Sequence, residues 1–327
     1  MAGLGGQADW ILKEGTISTR SIPDEPWQTM LVAPGPAGVH LFSGILPAKF
    51  SKNRPVTIRG IKLSPGLQLN GELDAQVQRP VTDGRVIAYC LPKPSGRVND
   101  VSDPSLSWSD YADINEDGSF VFNSLPRTGT LQLIALCRGW TIQSQPRDEV
   151  GEFFVQGIQI NLDESEIVDG QLSVVLPMQP AGSLEVTVTN PDGSPLAGVQ
   201  IGSWPNQKLD KWGSQLLGTC CPSMTIVEAR LDGCGNQLNE MFFDQHGSSR
   251  FTQTSDEDGH VTLYDIPVNQ SAYQLTATHP QYNFVAKSGT LKEEGDEKAG
   301  GRTEFEYEMK TPDHKLIELT GVPIPEN

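Results

Sequence analysis

The sequence predicts an all-β protein built from repeated units, and three observations carry that prediction. With 33 Gly, 24 Pro and 37% hydrophobic residues in a chain of 327, the composition suits many short strands joined by turns, and few segments show helical periodicity. One pattern also occurs twice. Asp113-Ile114-Asn115-Glu116-Asp117-Gly118-Ser119-Phe120-Val121-Phe122-Asn123-Ser124-Leu125-Pro126 reappears as Ser255-Asp256-Glu257-Asp258-Gly259-His260-Val261-Thr262-Leu263-Tyr264-Asp265-Ile266-Pro267. Each copy reads as an acidic turn, a strand of alternating polarity and a proline stop, with glycine taking the positive φ that a hairpin turn requires. Finally, strand-like runs precede and follow each copy in the same order.

The length suffices for two or three domains, each with its own core. Residues 1–63 hold strand-like runs at Trp10–Leu12, Met30–Val32, Val39–Phe42 and Val56–Leu63, without an acidic glycine turn, and read as a partial or divergent unit. A second unit, 64–178, opens with Leu67, Leu69, Gly71 and Leu73 on one face at period two. The turn Arg79–Gly84 leads into Arg85–Tyr89; a polar stretch, Pro92–Ala112, precedes the acidic turn; the run Leu131–Cys137 follows, and Val155–Ile160 and Gln171–Pro177 close the unit. The third unit, 179–327, repeats the opening with Ala181–Thr189. Its Asn190-Pro191-Asp192-Gly193 turn and the run ending at Ile201 form a hairpin signal. A long insertion at about 202–249 separates this from the second acidic turn, after which Tyr273–Thr278 and Thr303–Lys310 read as strands. The charged link Lys292–Lys298 reads as a solvated loop.

The net charge of −17 comes from 41 acidic against 24 basic residues spread along the chain. Phosphate binding needs clustered Lys and Arg, so nucleic acid is not an expected partner, and the acidity keeps the surface soluble. No apolar run approaches the roughly 18 residues of a membrane span. The opening Met1-Ala2-Gly3-Leu4-Gly5-Gly6 lacks a basic leader and an apolar core, so no signal peptide is read there and the chain taken literally stays in the cytoplasm.

Five cysteines cannot all pair within one chain. Cys90 and Cys137 close two strand runs of the second unit, and either a disulfide or two buried thiols suits them. In the insertion, Cys234 is expected to bridge Cys220 or Cys221. A zinc set of Cys220, Cys221, Cys234 and His246 is disfavoured by the adjacent cysteines and the missing Cys-x-x-Cys knuckle.

Two further sets of residues invite a functional reading. Asp113-x-Asn115-x-Asp117-Gly118 and Thr254-x-Asp256-x-Asp258-Gly259 match the first half of an oxygen-ligand loop for a hard cation. Position twelve, ordinarily a bidentate Glu, is Ser124 in one copy and Asp265 in the other. Thr254, Asp256, Asp258 and Asp265 are therefore the better calcium candidate, with a plain hairpin turn as the alternative; no other cofactor is expected. Trp204, Trp212, Phe242 and Phe243 in the insertion, with Trp108, Tyr111 and Trp140 around the first acidic turn, suit a sugar or peptide by stacking, or else cap the ends of a core. No His-Glu-x-x-His, Gly-x-Ser-x-Gly or phosphate-cradling glycine loop occurs, so the sequence predicts no enzyme.

Several motifs recur in an order that resembles the carboxypeptidase regulatory-like domain. They are Leu63-Ser64-Pro65-Gly66 leading into a strand, the turn Pro191-Asp192-Gly193-Ser194-Pro195-Leu196-Ala197-Gly198-Val199, the hairpin Asp256-Glu257-Asp258-Gly259, the stops Leu125-Pro126 and Ile266-Pro267, and strands ending Ala135-Leu136-Cys137 and Ala277-Thr278. The match covers about 64–178 and 179–312, with the end of a further domain before Leu63. It implies tandem seven-stranded Greek-key β-sandwich domains, similar to transthyretin (prealbumin) and to the collagen-adhesin B-type repeats. It also implies a non-catalytic structural or binding module of a bacterial envelope or secreted protein, this chain then being a fragment of something larger. The partner would be a protein or carbohydrate surface. A carbohydrate-binding or calcium-dependent adhesion unit, and an accessory region of a larger enzyme, are the alternatives. Collagen-adhesin relatives sometimes crosslink a strand lysine to an asparagine; the opening strands Leu67–Leu73 and Leu184–Val188 contain no lysine.

Overall fold

Alternation decides which residues become strands here. In the run Gly182–Thr189, Gly182, Leu184, Val186 and Val188 are buried while the residues between them are half-buried, the signature of a strand with one face on a core. A computed structural model describes residues 10–13, 16–19, 26–49, 61–91, 108–146, 154–163, 165, 167–205, 252–266, 268, 272–287, 291–293 and 301–325. Apart from one 3-10 turn at Pro36–Gly38, the regular structure among them is all strand. No helix among them is long and apolar enough to cross a membrane.

The first strands are β1 (Trp10–Lys13), β2 (Thr16–Thr19), β3 (Pro26–Pro34), β4 (His40–Lys49) and β5 (Ser64–Pro65). β1 and β2 pair antiparallel, and β3, β4 and β5 form a three-stranded sheet. Next come β6 (Leu67–Leu73), β7 (Arg85–Leu91), β8 (Trp108–Asp113), β9 (Ser119–Leu125), β10 (Thr130–Cys137), β11 (Trp140–Ile142), β12 (Ser144–Pro146), β13 (Phe154–Gln156), β14 (Ile158–Asn161), β15 (Gln171–Leu176) and β16 (Met178–Pro180). One sheet runs β15-β6-β9 and the other β16-β11-β10-β7-β8, with β14 also on β10. The last group is β17 (Gly182–Thr189), β18 (Gln200–Pro205), β19 (Thr252–Thr254), β20 (His260–Ile266), β21 (Ala272–Thr278), β22 (Tyr282–Ala286), β23 (Lys292–Glu293), β24 (Arg302–Glu308) and β25 (His314–Pro323). Its sheets run β20-β17-β25-β22 and β19-β18-β21-β24-β23. In both groups the opening strand pairs in parallel with a late one, β6 with β15 and β17 with β25.

Each pair of sheets encloses its own core. Leu67, Leu69, Leu73, Phe120 and Phe122 pack with Val86, Ala88, Leu131 and Leu133 in one cluster. Leu184, Val186, Val188, Val261 and Leu263 pack with Ile201, Tyr273, Leu275 and Phe305 in the other. Gly71 shares the inner face of β6 because the Phe120 ring lies against it; a Cβ there would sit 2.0 Å from the ring. Burying one Phe or Leu side chain contributes about 1.5–3 kcal/mol.

The structure departs from the sequence reading at several places: Lys292–Glu293, in the link read as a solvated loop, pairs with β24 as strand β23. Within the stretch read as polar, Trp108–Asp113 is strand β8: Trp108 and Ala112 pack against the core, and the half-buried Asp110 between them on the same face, with the exposed Tyr111 on the other, breaks the alternation. β18 continues past Ile201 to Pro205, into the expected insertion, whose residues 206–249 lie outside the described ones. Most consequentially, the acidic turns do not join hairpin strands. β8 belongs to one sheet and β9 to the other, β19 and β20 are split in the same way, and so are β17 and β18 around Pro191-Asp192-Gly193. All three turns are corners that carry the chain from sheet to sheet.

Candidate functional site

The corners use their polar side chains on their own backbone. At the first, Gly118 (φ 87°) donates its N–H to Asn115 O at 2.8 Å and Asn115 N–H donates to Ser119 O at 2.8 Å. Asp117 Oδ1 accepts from Ser119 N–H at 2.9 Å and Ser119 Oγ at 2.7 Å, and Asn115 Nδ2 donates to that same hydroxyl at 2.9 Å. Asn190–Ser194 repeats the arrangement: Gly193 also has φ 87°, and Asp192 Oδ1 accepts from Ser194 N–H at 2.9 Å and Oγ at 2.7 Å. The hydroxyl, then the amide, hold the Asp117 and Asp192 carboxyls below the usual carboxylate range. In the third corner Asp256 replaces the Asn, and its Oδ1 accepts from Asp258 N–H at 3.0 Å and His260 N–H at 2.8 Å. The motif Asn/Asp-x-Asp-Gly-Ser/His is thus a device for closing a turn.

The residues expected to surround one calcium ion do not come together. Thr254 is exposed at the end of β19, and Asp256 and Asp258 are exposed in the corner. Asp265 is buried at the opposite end of β20. Among the described residues no group of three or more His, Cys, Asp or Glu is arranged to hold a metal ion.

Asp265 has a different task, which it shares with Ser124. β9 inserts an extra residue opposite β6 between the pairs Leu69–Phe122 and Leu67–Leu125; β20 does the same opposite β17 between Leu184–Leu263 and Gly182–Ile266. The bulges bury Ser124 and Asp265, each just before the Leu-Pro or Ile-Pro stop. Asp265 takes φ 60°, a conformation Asp tolerates better than most residues. Ser124 Oγ accepts from His40 N–H at 2.8 Å and donates to His40 O at 3.0 Å, while Gly66 N–H donates to that same carbonyl at 2.9 Å. Asp265 Oδ1 accepts from Gly139 N–H at 2.7 Å, and Ala181 N–H donates to Gly139 O at 2.9 Å. The register makes the two joints equivalent, since Leu41 faces Pro65 and Trp140 faces Pro180. In each, the backbone of one residue at a strand turn, His40 or Gly139, is held at both its N–H and its C=O by the chain that follows.

Side chains complete both joints. At the first, Trp108 meets Phe42 edge-on at 5.2 Å between ring centroids and His40 at 5.9 Å. At the second, Arg138 lies 5.3 Å from the centre of the Tyr264 ring and pairs with Asp83 at 2.6 Å, and Gln179 Nε2 donates to Val268 O at 2.9 Å. Burial works against the Arg138 charge, but Asp83 and Asp265 outweigh it and hold its pKa above the usual value.

The remaining candidates fall as follows. Cys90 faces Leu131 and Cys137 faces Trp140, so they sit at opposite ends of the β7–β10 ladder and form no disulfide; both are buried thiols. Burial first, then the Asp163 charge, pushes the Cys90 thiol up to about 12. Cys220, Cys221, Cys234, His246, Trp212, Phe242 and Phe243 lie outside the described residues. The Trp204 backbone lies in β18 opposite Gln274. Tyr111 is exposed, with the Arg85 guanidinium 4.8 Å from its ring centre. Buried polar side chains include Ser124, Gln132, Thr141, Ser203, Ser255, Asp265, Thr276 and Thr303. Sequence reasoning missed the cross-strand group on the outer face of β17, where Glu185 stands 3.0 Å from His314 and 3.9 Å from His260; alternation along β17 places Glu185 outward, but only the sheet order brings the two histidines beside it.

No family model matches the chain, and no curated protein matches it. Among solved structures, the shaft pilin SpaA of Lactobacillus rhamnosus GG is similar at 12% identity over 80% of this chain and 99% of that one, with a TM-score of 0.27. The C-terminal fragment of the pilus adhesin SpaC of the same organism is similar at 8% identity over 80% and 99%, with a TM-score of 0.23. The Bacillus anthracis TIE protein reaches 10% identity over 90% of this chain and 42% of that one, with a TM-score of 0.22. At TM-scores this low the likeness carries no argument about function.

Proposed function

We propose that the chain is a non-catalytic structural module in which successive β-sandwich units are held in fixed order and orientation, serving as a spacer of a bacterial envelope or secreted protein. The observation that carries this reading is the repeated joint. The two bulges place a buried polar side chain, Ser124 or Asp265, where it grips a backbone amide of the preceding strands rather than a reactive centre. Buried polar groups are costly unless satisfied, and here the satisfying partner is a neighbouring unit. The resemblance to carboxypeptidase regulatory-like domains supports the bacterial surface setting, and the loops between strands are where such a spacer would meet a protein or carbohydrate surface.

The reading is tested by replacing Ser124 and Asp265 together with Ala, both cores being left intact. Small-angle scattering is expected to show a larger radius of gyration and a broader distribution of dimensions, with the circular dichroism unchanged. A scattering profile identical to that of the parent would overturn the proposal.

A further inference from the structure

We infer that the turn at Gln281 is a third socket of the same kind, shaped to receive a further β-sandwich unit that presents a Ser or Asp from a bulged strand. The inference rests on the structural reading above and names the partner that such a module accepts.

The register identifies the socket. Tyr282 faces Pro323 as Leu41 faces Pro65 and Trp140 faces Pro180, which makes Gln281 the counterpart of His40 and Gly139. Half of the joint is already made: Ile324 N–H donates to Gln281 O at 2.9 Å, as Gly66 does to His40 and Ala181 to Gly139. The other half differs. The Gln281 N–H donates to His279 Nδ1 within its own turn, at 3.2 Å, where His40 and Gly139 donate to a side chain of the following unit. Gln281 is exposed, and so is Val322, an apolar side chain at 42% exposure in the register position of Gln179, which reaches Val268 across the second joint. The backbone grip, made on the C=O side and open to a partner side chain on the exposed N–H side, is what a further sandwich unit would complete. A second copy of this chain is not the occupant, because Ser124 and Asp265 are both engaged at their own joints.

The test extends the full chain past Ile324 with a second copy of residues 182–325, and, separately, past Pro323 with a copy of residues 66–180. Amide hydrogen exchange is followed at His40, Gly139 and Gln281. Both extensions are expected to slow exchange at Gln281 at least about tenfold, and Ala at the added unit's counterpart of Asp265 or Ser124 should restore the rate of the unextended chain. If the added unit's core-strand amides are protected while Gln281 exchanges as before, the socket is overturned. Failure of both added units to fold also counts against it, since each folds after such a turn in the native chain. Rapid exchange at His40 and Gly139 in the unextended protein would instead overturn the structural reading on which the inference rests.

Discussion

At the scale of single residues, the acidic side chains that look most like ligands are local fasteners. Asp117 and Asp192 accept two hydrogen bonds each from the serine two positions on, and this keeps their carboxyls ionised to lower pH than a free aspartate. The folded pKa is therefore below the unfolded value of about 3.9. The stability these groups contribute is fully present above that value and is lost as pH falls through the folded pKa. Urea melts between pH 5 and 2 should show this loss, and the double variant Asp117→Asn, Asp192→Asn should flatten the acid slope; an unchanged slope would refute the assignment. Cysteine chemistry is set by burial in the same way. Cys90, with its thiol pushed up to about 12, should resist alkylation in the native protein at pH 8 and react fully on unfolding, as read by mass spectrometry. The corner motif is legible in the sequence, because Asn-x-Asp-Gly-Ser announces a turn. What lies beyond the turn is not. The ring from Asn115 to Ser119 closes identically for a hairpin and for a corner, and only the distant partners of β8 and β9 show that the strands part.

At the scale of elements, inward alternation fixes the cores, and this part of the fold is open to inspection in the sequence. Leu67, Leu69 and Leu73 in β6, and Leu184, Val186 and Val188 in β17, fall inward as their spacing dictates. Phe120→Ala should cost about 3–5 kcal/mol in denaturant unfolding of the 64–180 strands. Gly71→Val should cost about 1–3 kcal/mol, because the added side chain would occupy the place of the Phe120 ring. A Gly71→Val protein as stable as the parent would show that the ring does not hold this position. The bulges mark where sequence reading stops. Ser124 and Asp265 align with each other across the repeat, so their equivalence is visible, but their partners His40 and Gly139 lie 84 and 126 residues away in the chain. Local spacing makes Asp265 look like the twelfth position of a calcium loop, whereas the bulge turns it away from the corner and toward the preceding strands.

At the scale of the whole molecule, the two joints connect three successive groups of strands with one geometry and two chemistries, a neutral serine and a carboxylate. Ser124 makes two neutral hydrogen bonds to His40, roughly 1 kcal/mol each, and Asp265 one charged bond to Gly139, about 1.5–3 kcal/mol, so Ser124→Ala and Asp265→Ala should loosen their joints to a similar extent, as read by exchange rates at His40 and Gly139. The parallel pairing of β17 with β25 has a mechanical consequence. The chain enters this unit at Gly182 and leaves it at Pro323, at opposite ends of the ladder that runs from Ser183–His314 to Thr189–Thr320. Tension applied through these ends acts along the strands, across the hydrogen bonds, so the whole ladder carries the load at once. Pulling instead through Tyr282 and Pro323, which face each other at one end of the antiparallel β22–β25 pair, would open the bonds one after another. Single-molecule stretching should find the first geometry several-fold stronger, which would make each sandwich a link that resists being drawn out in the direction the chain itself runs.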